Sequence, residues 1–383
     1  METLRMIYFD NSATSFPKPE EVYRKMDEVN RNLAVNAGRG GYRLAIEVAD
    51  IIDDTRKKLA DLVSLKDSSK VILLSSATCA LNTIINSIEW SHMDNVYISP
   101  FEHNSVLRPL EALKRMHGFS IIQIPFDPEN QTVDFEKMNE LFREYRPKLV
   151  VLTHASNVTG QILPVKEVNC LAKEYGSITI VDGAQALGYI DVDLDDLHCD
   201  YYVFAGHKGL YGPFGTGGLF INTDEKIDPL IYGGTGNNSE ELSMPEEYPG
   251  RLEAGSPNIV AIAGLNEGLK WLSINNAKKN TKELYLKLIN ILENHPEITI
   301  IGKGKPMDKL PVVSCVIEGF TPQEVSMILD QENSIATRAG LHCAPLAHKF
   351  LGTFPLGAVR FSLGYFSDIQ HLEKLDDAIQ ELL

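Results

Sequence analysis

Short apolar segments rich in β-branched residues alternate with segments of helical periodicity through the first half of the chain. The strand-like segments are Val71–Ser75, Asn95–Ser99, Ser120–Pro125, Leu149–Thr153, Ile178–Val181, Tyr201–Ala205 and Gly218–Asn222. Two intervening segments, Ala80–Ile88 and Val165–Tyr175, have apolar residues at helical spacing. This alternation predicts an α/β fold in which a mostly parallel sheet of seven strands carries helices on both faces.

The pattern changes after about residue 250. The helical and strand-like segments that follow are Pro257–Ile274, Lys279–Glu293, Val312–Glu318, Pro322–Gln331, Val359–Ser362 and Ile369–Leu383. A chain of 383 residues is too long for one ordinary hydrophobic core. We therefore predict a large α/β domain over residues 15–255 and a smaller α+β domain formed by residues 1–14 together with residues 256–383.

The chain is acidic, with 52 Asp and Glu residues against 36 Lys and Arg residues and a formal net charge of −16. This balance argues against a surface for nucleic-acid phosphates. No apolar run is long enough to span a bilayer, and the first ten residues lack the apolar centre of a signal peptide. The five cysteines are odd in number and have no CxxC spacing, so neither a disulfide framework nor a four-cysteine zinc site is indicated. We therefore expect a cytoplasmic protein in a reducing compartment.

Polar residues recur immediately after the predicted strands. They are Thr78, His103, Asn157, Asp182, Gln185, His207 and Lys208. In open α/β sheets, ligands bind outside the carboxyl ends of the strands. One polar residue at such a point is weak evidence, whereas several in one sheet predict a binding site.

Asp182 and Lys208 follow two successive predicted strands. Taken singly, the carboxylate is typical of a helix N-cap and the lysine of a solvated surface charge. Taken together, they are the acid and the amine that pyridoxal 5′-phosphate (PLP) requires. The acid holds the proton on the pyridine nitrogen, and the amine forms a Schiff base with the aldehyde. The pair therefore indicates a PLP site.

Three further features fit such a site, although each has an ordinary structural alternative. The segment Ser75–Thr78, which includes Ala77, joins a strand to a helix, where free N–H groups and the helix dipole favour a phosphate. An N-capped turn is the alternative. His103 could stack on a cofactor ring, or it could be a capping or core histidine. Asn157 could donate to a ring hydroxyl, or it could form a turn.

Seven motifs run through nearly the whole chain: Asp10–Thr14, Glu102–Ser105, Ser156–Gly160, Val181–Gln185, Gly206–Lys208, Gly233–Gly236 and Arg338–Ala344. In sequence and in order they resemble the motifs of the class V aminotransferase family, and within it the cysteine desulfurase and selenocysteine lyase group. The resemblance implies a PLP-dependent transferase of fold-type I that acts as a homodimer.

The resemblance also assigns the residues that hold the cofactor. By this resemblance, Lys208 forms the internal aldimine, Asp182 pairs with the pyridine nitrogen and His103 stacks on the ring. Asn157 and Gln185 contact the ring hydroxyl. The phosphate contacts are assigned to Ala77, Thr78, His207 and, from a second subunit, Thr235. The residues that it assigns to the substrate are Asn157, Arg338 and Arg360, and Arg360 clamps the substrate carboxylate.

Cys343 has a different setting from the cysteines that lie in apolar runs, which are expected to be small buried residues. It follows Arg338 and His342 in a stretch that contains Gly and Pro, and neighbours that carry or can carry positive charge favour the thiolate. In the family that the chain resembles, a cysteine here attacks the substrate sulfur and becomes a persulfide. A metal site formed with His342 and His348 is the less favoured alternative.

The loop between Cys343 and Arg360 is short. In this respect the chain resembles the desulfurases whose cysteine is relatively fixed and needs a partner protein to accept sulfur. The resemblance therefore implies L-cysteine or L-selenocysteine as the substrate and a sulfur-acceptor protein as a partner.

The chain departs from the family pattern at two places. The family usually has Ser or Thr where this chain has Ala205, so one hydrogen bond to the phosphate is missing, worth about 1.5–3 kcal/mol unless another donor replaces it. The segment Gly38–Arg43 is also unlike the family pattern. It either shapes the substrate entrance or forms a turn before a helix that starts near Ala45.

The favoured reaction is removal of sulfur from L-cysteine, which gives L-alanine and a persulfide on Cys343. The nearest alternative is a selenocysteine lyase or another carbon–sulfur lyase. A class V transaminase or epimerase, in which Cys343 is a bystander, is the second alternative. A PLP-binding scaffold without turnover is the third.

Overall fold

The computed structural model describes residues 6–37, 41–128, 130–236, 240–275, 277–302 and 309–383, without the side chains of residues 277–280. The strands are β1 (Ile7–Tyr8), β2 (Val71–Leu74), β3 (Asn95–Ile98), β4 (Ser120–Gln123), β5 (Pro147–Thr153), β6 (Ile178–Asp182), β7 (Tyr201–Ala205), β8 (Gly217–Ile221), β9 (Ile298–Ile300), β10 (Val312–Ile317), β11 (Ile335–Ala336), β12 (Arg338–Gly340) and β13 (Ala358–Ser362). The helices are α1 (Glu20–Asn32), α2 (Arg43–Leu62), α3 (Ala77–Ser87), α4 (Asn104–His117), α5 (Phe135–Glu144), α6 (Val165–Glu174), α7 (Leu194–Leu197), α8 (Ile259–Ile274), α9 (Ala277–Glu293), α10 (Pro322–Asn333), α11 (Pro345–Phe350) and α12 (Ile369–Leu382).

Seven strands form one large sheet in the order β2, β8, β7, β6, β5, β3 and β4. The neighbours from β7 to β4 are all parallel, whereas β8 is antiparallel to both β2 and β7. The connection from β7 to β8 spans residues 206–216, which is shorter than the crossover that a parallel pair needs. The predicted α/β fold with a mostly parallel seven-stranded sheet is confirmed.

Alternate residues of the central strands are buried on opposite faces of this sheet. In β5, Val150 and Leu152 belong to one apolar core, whereas Leu149 and Val151 belong to another. Helices α2, α5 and α6 contribute to the first core, and α3 and α4 contribute to the second. Because each strand is covered on both sides, its sequence is a nearly continuous apolar run.

A second, antiparallel sheet has the strand order β12, β13, β10 and β9. Its strands and helices α9, α10 and α12 enclose a separate core that includes Leu288, Val325 and Phe361. Near the N-terminus, β1 pairs in parallel with β11, and Asp10 forms a bridge with Ser362. The N-terminal strand therefore packs with the last third of the chain, beside the segments that carry Arg338 and Arg360.

The division of the chain after residue 255 stays a prediction. Helix α8, which that division assigns to the smaller domain, packs against α1 and α2. It also contributes Leu265 and Leu269 to a core of the large sheet. Across the described ranges, no helix is long and apolar enough to cross a membrane.

Candidate active site

A cavity of about 220 Å³ lies at the carboxyl ends of β5, β6 and β7. The predicted site residues that line it are Ala77, Thr78, His103, Asn157, Asp182, Gln185, His207, Lys208, Arg338 and Arg360. Ser12, Ser105 and His342 also line it; the sequence placed the two serines only within motifs and gave His342 no part in the cofactor site. Thr235 and Cys343 are not among its lining residues. The structure thus brings together most of the predicted site from segments that are far apart in the sequence.

Thr235 lies at a separate cavity of about 430 Å³. Arg56 and Glu253 line that cavity too and form an ion pair with each other. The role predicted for Thr235, a contact with the cofactor of a second subunit, stays a prediction.

The start of α3 forms one end of the site cavity. Ser76 is the N-cap, and its hydroxyl oxygen accepts a hydrogen bond of 3.1 Å from the backbone N–H of Cys79. Ala77 and Thr78 occupy the first turn, where backbone N–H groups have no partner within the helix. A Cβ on Gly217 of β8 would lie only 2.7 Å from the backbone nitrogen of Ala77, so a side chain there would displace this turn. These features suit an anionic group.

His207 supports the same assignment. Its Nδ1 is buried and has no hydrogen-bond partner among the described residues. Burial, with smaller contributions from Lys208 and Lys18, lowers the pKa of His207 to about 3, so the ring is neutral near pH 7. The ring stacks on Phe214 with centroids 4.9 Å apart. A buried polar atom without a partner is costly, and an anionic oxygen in the cavity would satisfy an N–H at this position.

Ala205 ends β7 and lines the cavity with no polar side chain to offer. The Ser76 hydroxyl lines the same cavity. Its oxygen already accepts from Cys79, but its own O–H can still donate. Ser76 is therefore one side chain of the cavity lining that could replace the hydroxyl missing at residue 205.

Asp182 and Lys208 lie at the ends of the adjacent parallel strands β6 and β7. Asp182 is 4% exposed, and its Oδ1 accepts a hydrogen bond of 3.0 Å from the N–H of Ala184. Burial raises the pKa of Asp182, while the Ala184 N–H and the charge of Lys208 act in the opposite direction. Burial lowers the pKa of Lys208 to about 8, and Asp182 opposes that shift. No helix begins directly after Asp182 in the described chain, so the N-cap alternative is wrong, and its carboxylate instead accepts one local turn bond and lines the cavity.

His103 is the N-cap residue of α4. Its Nδ1 accepts a 3.0 Å hydrogen bond from the N–H of Ser105. Burial and the positive charges of Lys208, Arg338, Arg108 and Arg360 lower the pKa of His103 to about 4. The imidazole is therefore neutral near pH 7. The capping alternative is correct for Nδ1, yet the same ring lines the cavity, so capping and a contact with a cofactor ring do not exclude each other.

The amides of Asn157 and Gln185 connect the large sheet to distant segments. Asn157 Nδ2 donates a 2.7 Å hydrogen bond to the backbone oxygen of His342. Gln185 Nε2 donates a 2.9 Å bond to the backbone oxygen of Ser12. Each amide nitrogen carries two hydrogens, so one donor on each side chain is available to a ligand.

Arg360 is almost completely buried, with an exposed fraction of 2%. Its Nη2 donates a 2.5 Å hydrogen bond to Asp10 Oδ1, and its Nη1 donates a 3.0 Å bond to the backbone oxygen of Asn157. Its Nε is buried without a partner in the described part of the chain. Arg338 Nη1 lies 4.0 Å from Asp10 Oδ2. Asp10, which the sequence placed only within a motif, therefore pairs with Arg360 and lies near Arg338, while the free Nε of Arg360 remains suited to a carboxylate.

The Cys343 side chain is exposed, on the segment between β12 and α11. His342 and Cys343 both have left-handed backbone conformations, with φ of 50° and 56°. The backbone oxygen of Cys343 accepts a 2.7 Å hydrogen bond from the N–H of Asn104. Two successive non-glycine residues in this region are uncommon and require support from the surrounding structure.

His342 does not supply the positive charge that its position beside Cys343 suggested. Burial, followed by the charge of Arg360, lowers the pKa of His342 to about 2. Its Nδ1 lies 3.3 Å from Nε2 of His348, within a hydrogen-bonded contact. In the parts of the chain that the structure describes, no group of three or more His, Cys, Asp and Glu side chains is arranged to hold a metal.

The segment Gly38–Arg43 is only partly visible, because residues 38–40 lie outside the described residues. Helix α2 begins at Arg43, two residues before the predicted start near Ala45, and Tyr42 is its N-cap. The proposed effect of this segment on the substrate entrance therefore stays a prediction.

The fold and the site define a protein of the fold-type I PLP-dependent class. The family model for aminotransferase class V matches residues 7–375. The chain therefore belongs to the class V aminotransferase family, and membership of this family implies a PLP cofactor.

The chain is also similar to individual members of this family, both in sequence and in solved structure. A probable cysteine desulfurase of Pyrococcus abyssi is 33% identical over 392 residues, which cover 100% of this chain and 95% of that relative. One of Methanothermobacter thermautotrophicus is 29% identical over 98% of this chain and 94% of that relative. The apo structure of a cysteine desulfurase from Thermococcus onnurineus NA1 matches with a TM-score of 0.90 and 30% identity, over 98% of this chain and 94% of that chain. The cysteine desulfurase CsdA (S-sulfonic acid) from Escherichia coli matches with a TM-score of 0.86 and 26% identity, over 99% and 95% of the two chains.

Proposed function

We propose that this protein is a PLP-dependent cysteine desulfurase that converts L-cysteine to L-alanine and leaves the sulfur as a persulfide on Cys343. One observation carries the proposal. A cavity lined by the buried Asp182 and the half-buried Lys208 lies next to a strained segment that exposes a thiol. The cysteine desulfurases among the relatives and solved structures support the same reaction.

The residues of the cavity suit PLP at each end. The start of α3, the unpaired Nδ1 of His207 and the Ser76 hydroxyl would hold the phosphate. Lys208 would hold the aldehyde carbon covalently, and Asp182 would face the pyridine nitrogen. His103 would lie against the ring, with Asn157 and Gln185 beside the ring hydroxyl. When bound, PLP supplies an electron sink that holds the electron pair left after Cα loses its proton.

Arg360, Arg338 and Asn157 orient the substrate. The buried Arg360 Nε has no partner in the described chain and can donate to the substrate α-carboxylate. Asn157 contacts the backbone of His342, so the wall that receives the carboxylate is tied to the segment that carries Cys343. This connection positions the substrate γ-sulfur with respect to the thiol.

Lys208 moves the proton at the substrate Cα. With a pKa of about 8, its amine is unprotonated in a useful fraction of molecules near neutral pH. The Cys343 thiolate then attacks the substrate γ-sulfur. The new S–S bond forms as the Cβ–S bond breaks, and the electron pair of the broken bond remains on the carbon skeleton, which is protonated to give alanine. Cysteine and one thiol thus yield alanine and one persulfide.

We further propose that the enzyme is a homodimer in which Thr235 reaches the cofactor phosphate of the other subunit. The segment between β12 and α11 exposes Cys343 at the surface, where a sulfur-acceptor protein can reach it. The acidic net charge and the free cysteines support a cytoplasmic location.

The test is an assay of the purified holoenzyme with L-cysteine or L-selenocysteine, with and without a keto acid. We expect alanine from cysteine without a keto acid, together with sulfide when a reducing thiol is present. Turnover only with a keto acid would favour the transaminase. Turnover of selenocysteine alone would favour the selenocysteine lyase. No turnover of any amino acid would favour the scaffold.

A further inference from the structure

A short chain of hydrogen bonds lies directly behind the segment that carries Cys343. His342 Nε2 is 3.2 Å from the backbone oxygen of Arg338, and His342 Nδ1 is 3.3 Å from His348 Nε2. His348 Nδ1 is in turn 2.7 Å from the hydroxyl oxygen of Thr353. His348 is completely buried and His342 is 4% exposed, whereas Thr353 is partly exposed. The chain therefore runs from the site cavity to the surface.

The carbonyl at one end fixes the direction of every bond in this chain. A backbone oxygen can only accept, so His342 Nε2 carries a hydrogen and donates to Arg338. The neutral ring of His342 then has its lone pair on Nδ1, which accepts from His348 Nε2–H. His348 Nδ1 must accept in the same way, so the Thr353 hydroxyl donates to it. Burial lowers the pKa of His342 to about 2 and that of His348 to about 4, which agrees with two neutral rings.

The two hydrogen bonds of the His342 ring determine whether it can act as a base toward Cys343. Both nitrogens of His342 are engaged, one as a donor and one as an acceptor. His342 therefore has no free lone pair with which to take the proton of the neighbouring thiol. Its contribution to Cys343 must come from geometry.

We propose that His348 is a positioning residue, which acts through His342 to hold Cys343 in the left-handed conformation that presents its thiol. His342 and Cys343 are the central residues of a tight turn that the N–H of Ala344 closes with a 2.9 Å hydrogen bond to the backbone oxygen of Leu341, but two successive non-glycine residues with φ of 50° and 56° still need support from outside the turn. The backbone on either side of the His342 ring is held by Asn157 Nδ2 and by the N–H of Asn104. Among the described residues, the hydrogen bonds of the ring are those to the Arg338 backbone oxygen and to His348. The catalytic importance of this geometry rests on the proposed desulfurase reaction.

The test compares His348→Leu with His348→Gln in the holoenzyme. Leucine fills similar space but cannot donate to His342, whereas the glutamine amide can donate to His342 and accept from Thr353. We expect His348→Leu to lower kcat for alanine formation about ten- to hundredfold, because the thiol is misplaced. KM for cysteine and the visible spectrum of the bound cofactor should stay unchanged. His348→Gln should restore most of the lost kcat.

The reactivity of Cys343 is measured in the same variants by its rate of alkylation with iodoacetamide, followed on the peptide that contains Cys343. This readout needs no turnover, so it tests the inference even if the wild-type protein forms no alanine. We expect the rate to change in His348→Leu and to return toward the wild-type rate in His348→Gln. Equal impairment of both variants would overturn the positioning role, because His348 would then matter only for packing. Wild-type kcat and alkylation in His348→Leu would also overturn it.

A second pair of variants decides the question if His348→Leu fails to fold. Thr353→Val keeps the shape of the side chain and removes the donor to His348, whereas Thr353→Ser keeps the hydroxyl. We expect Thr353→Val to change kcat and alkylation in the same direction as His348→Leu, with a smaller effect, and Thr353→Ser to match the wild type. Identical behaviour of the two Thr353 variants would contradict the inference.

Discussion

At the scale of single residues, burial shifts the pKa values of the ionisable side chains that line the site. Lys208 has a lowered pKa and Asp182 a raised one, although each opposes the shift of the other. The histidines of the site, His103 and His207, are neutral near pH 7 because burial and nearby positive charges disfavour the imidazolium. His207 Nδ1 is buried without a hydrogen-bond partner in the described ranges, as expected of an atom that a ligand satisfies.

The covalent attachment point can be tested directly. Lys208→Ala should lose the visible absorbance of a covalently held cofactor and lower turnover about a hundredfold or more, because the amine that moves the Cα proton is gone. Borohydride reduction of the wild type, followed by peptide mapping, should place the pyridoxyl group on Lys208. Lys173→Ala, which removes an ion pair with Asp200 at the surface and lies outside the site cavity, serves as the control. A pyridoxyl group on another lysine would contradict the assignment.

Asp10 should matter for both stability and substrate binding. Removing its carboxylate in Asp10→Ala leaves the buried Arg360 without its only acidic partner among the described residues. We expect the free energy of unfolding to fall by about 2–3 kcal/mol. This loss is smaller than the loss expected for a fully buried ion pair, because Asp10 is partly exposed. KM for cysteine should rise. Denaturant unfolding and steady-state kinetics provide the measurements. Asp27→Ala, which breaks an exposed pair with Arg31, is the control and should change neither quantity. Unchanged unfolding and KM in Asp10→Ala would refute this role.

At the scale of elements, the strands of the large sheet could be recognised because they are buried on both faces and form apolar runs. The carboxyl ends of adjacent strands meet, so the polar residues that follow them could be expected to share one cavity, as Asp182 and Lys208 do. The short strands β1, β9, β11 and β12 were not predicted. Each has only two or three residues, and long-range pairing rather than local periodicity specifies them.

The contacts around the substrate end of the site could not be predicted for a related reason. The bond from Arg360 to Asp10 joins residues 350 positions apart. The chain from His342 to Thr353 depends on backbone angles and ring tautomers that no residue pattern encodes. The sequence therefore identified the chemical groups, whereas their mutual support required the three-dimensional structure.

At the scale of the whole molecule, an exposed apolar segment precedes Thr235. Ile231 is 60% exposed and Tyr232 is 70% exposed, and Leu230 is exposed too. Contiguous apolar side chains on a surface are typical of a protein–protein interface. In the proposed homodimer, this surface would contact the second copy, and Thr235, which lies outside the site cavity of its own chain, would reach the cofactor of that copy.

The dimer can be tested by placing a charge on this surface. Ile231→Asp should shift the mass measured by light scattering from dimer to monomer, because a carboxylate buried in an apolar interface is unfavourable. Loss of cofactor and activity should accompany the shift. Met93→Asp, at an apolar residue that is 74% exposed, is the control and should remain dimeric. A monomeric wild type with full activity would rule out the shared site.

The proposed reaction requires Cys343 to receive the substrate sulfur. Mass spectrometry of the wild type, combined with an alanine assay of Cys343→Ser, tests this step most directly. A serine hydroxyl stays protonated at neutral pH and is a poor nucleophile toward sulfur, whereas Lys208 and the cofactor site are unchanged. We expect the variant to bind PLP, to change its visible spectrum when cysteine is added, and to lose nearly all alanine formation. Wild type and the control Cys170→Ser should carry one added sulfur on the peptide that contains Cys343. Unchanged alanine formation in Cys343→Ser, with no added sulfur on that peptide in the wild type, would contradict transfer of the substrate sulfur to Cys343.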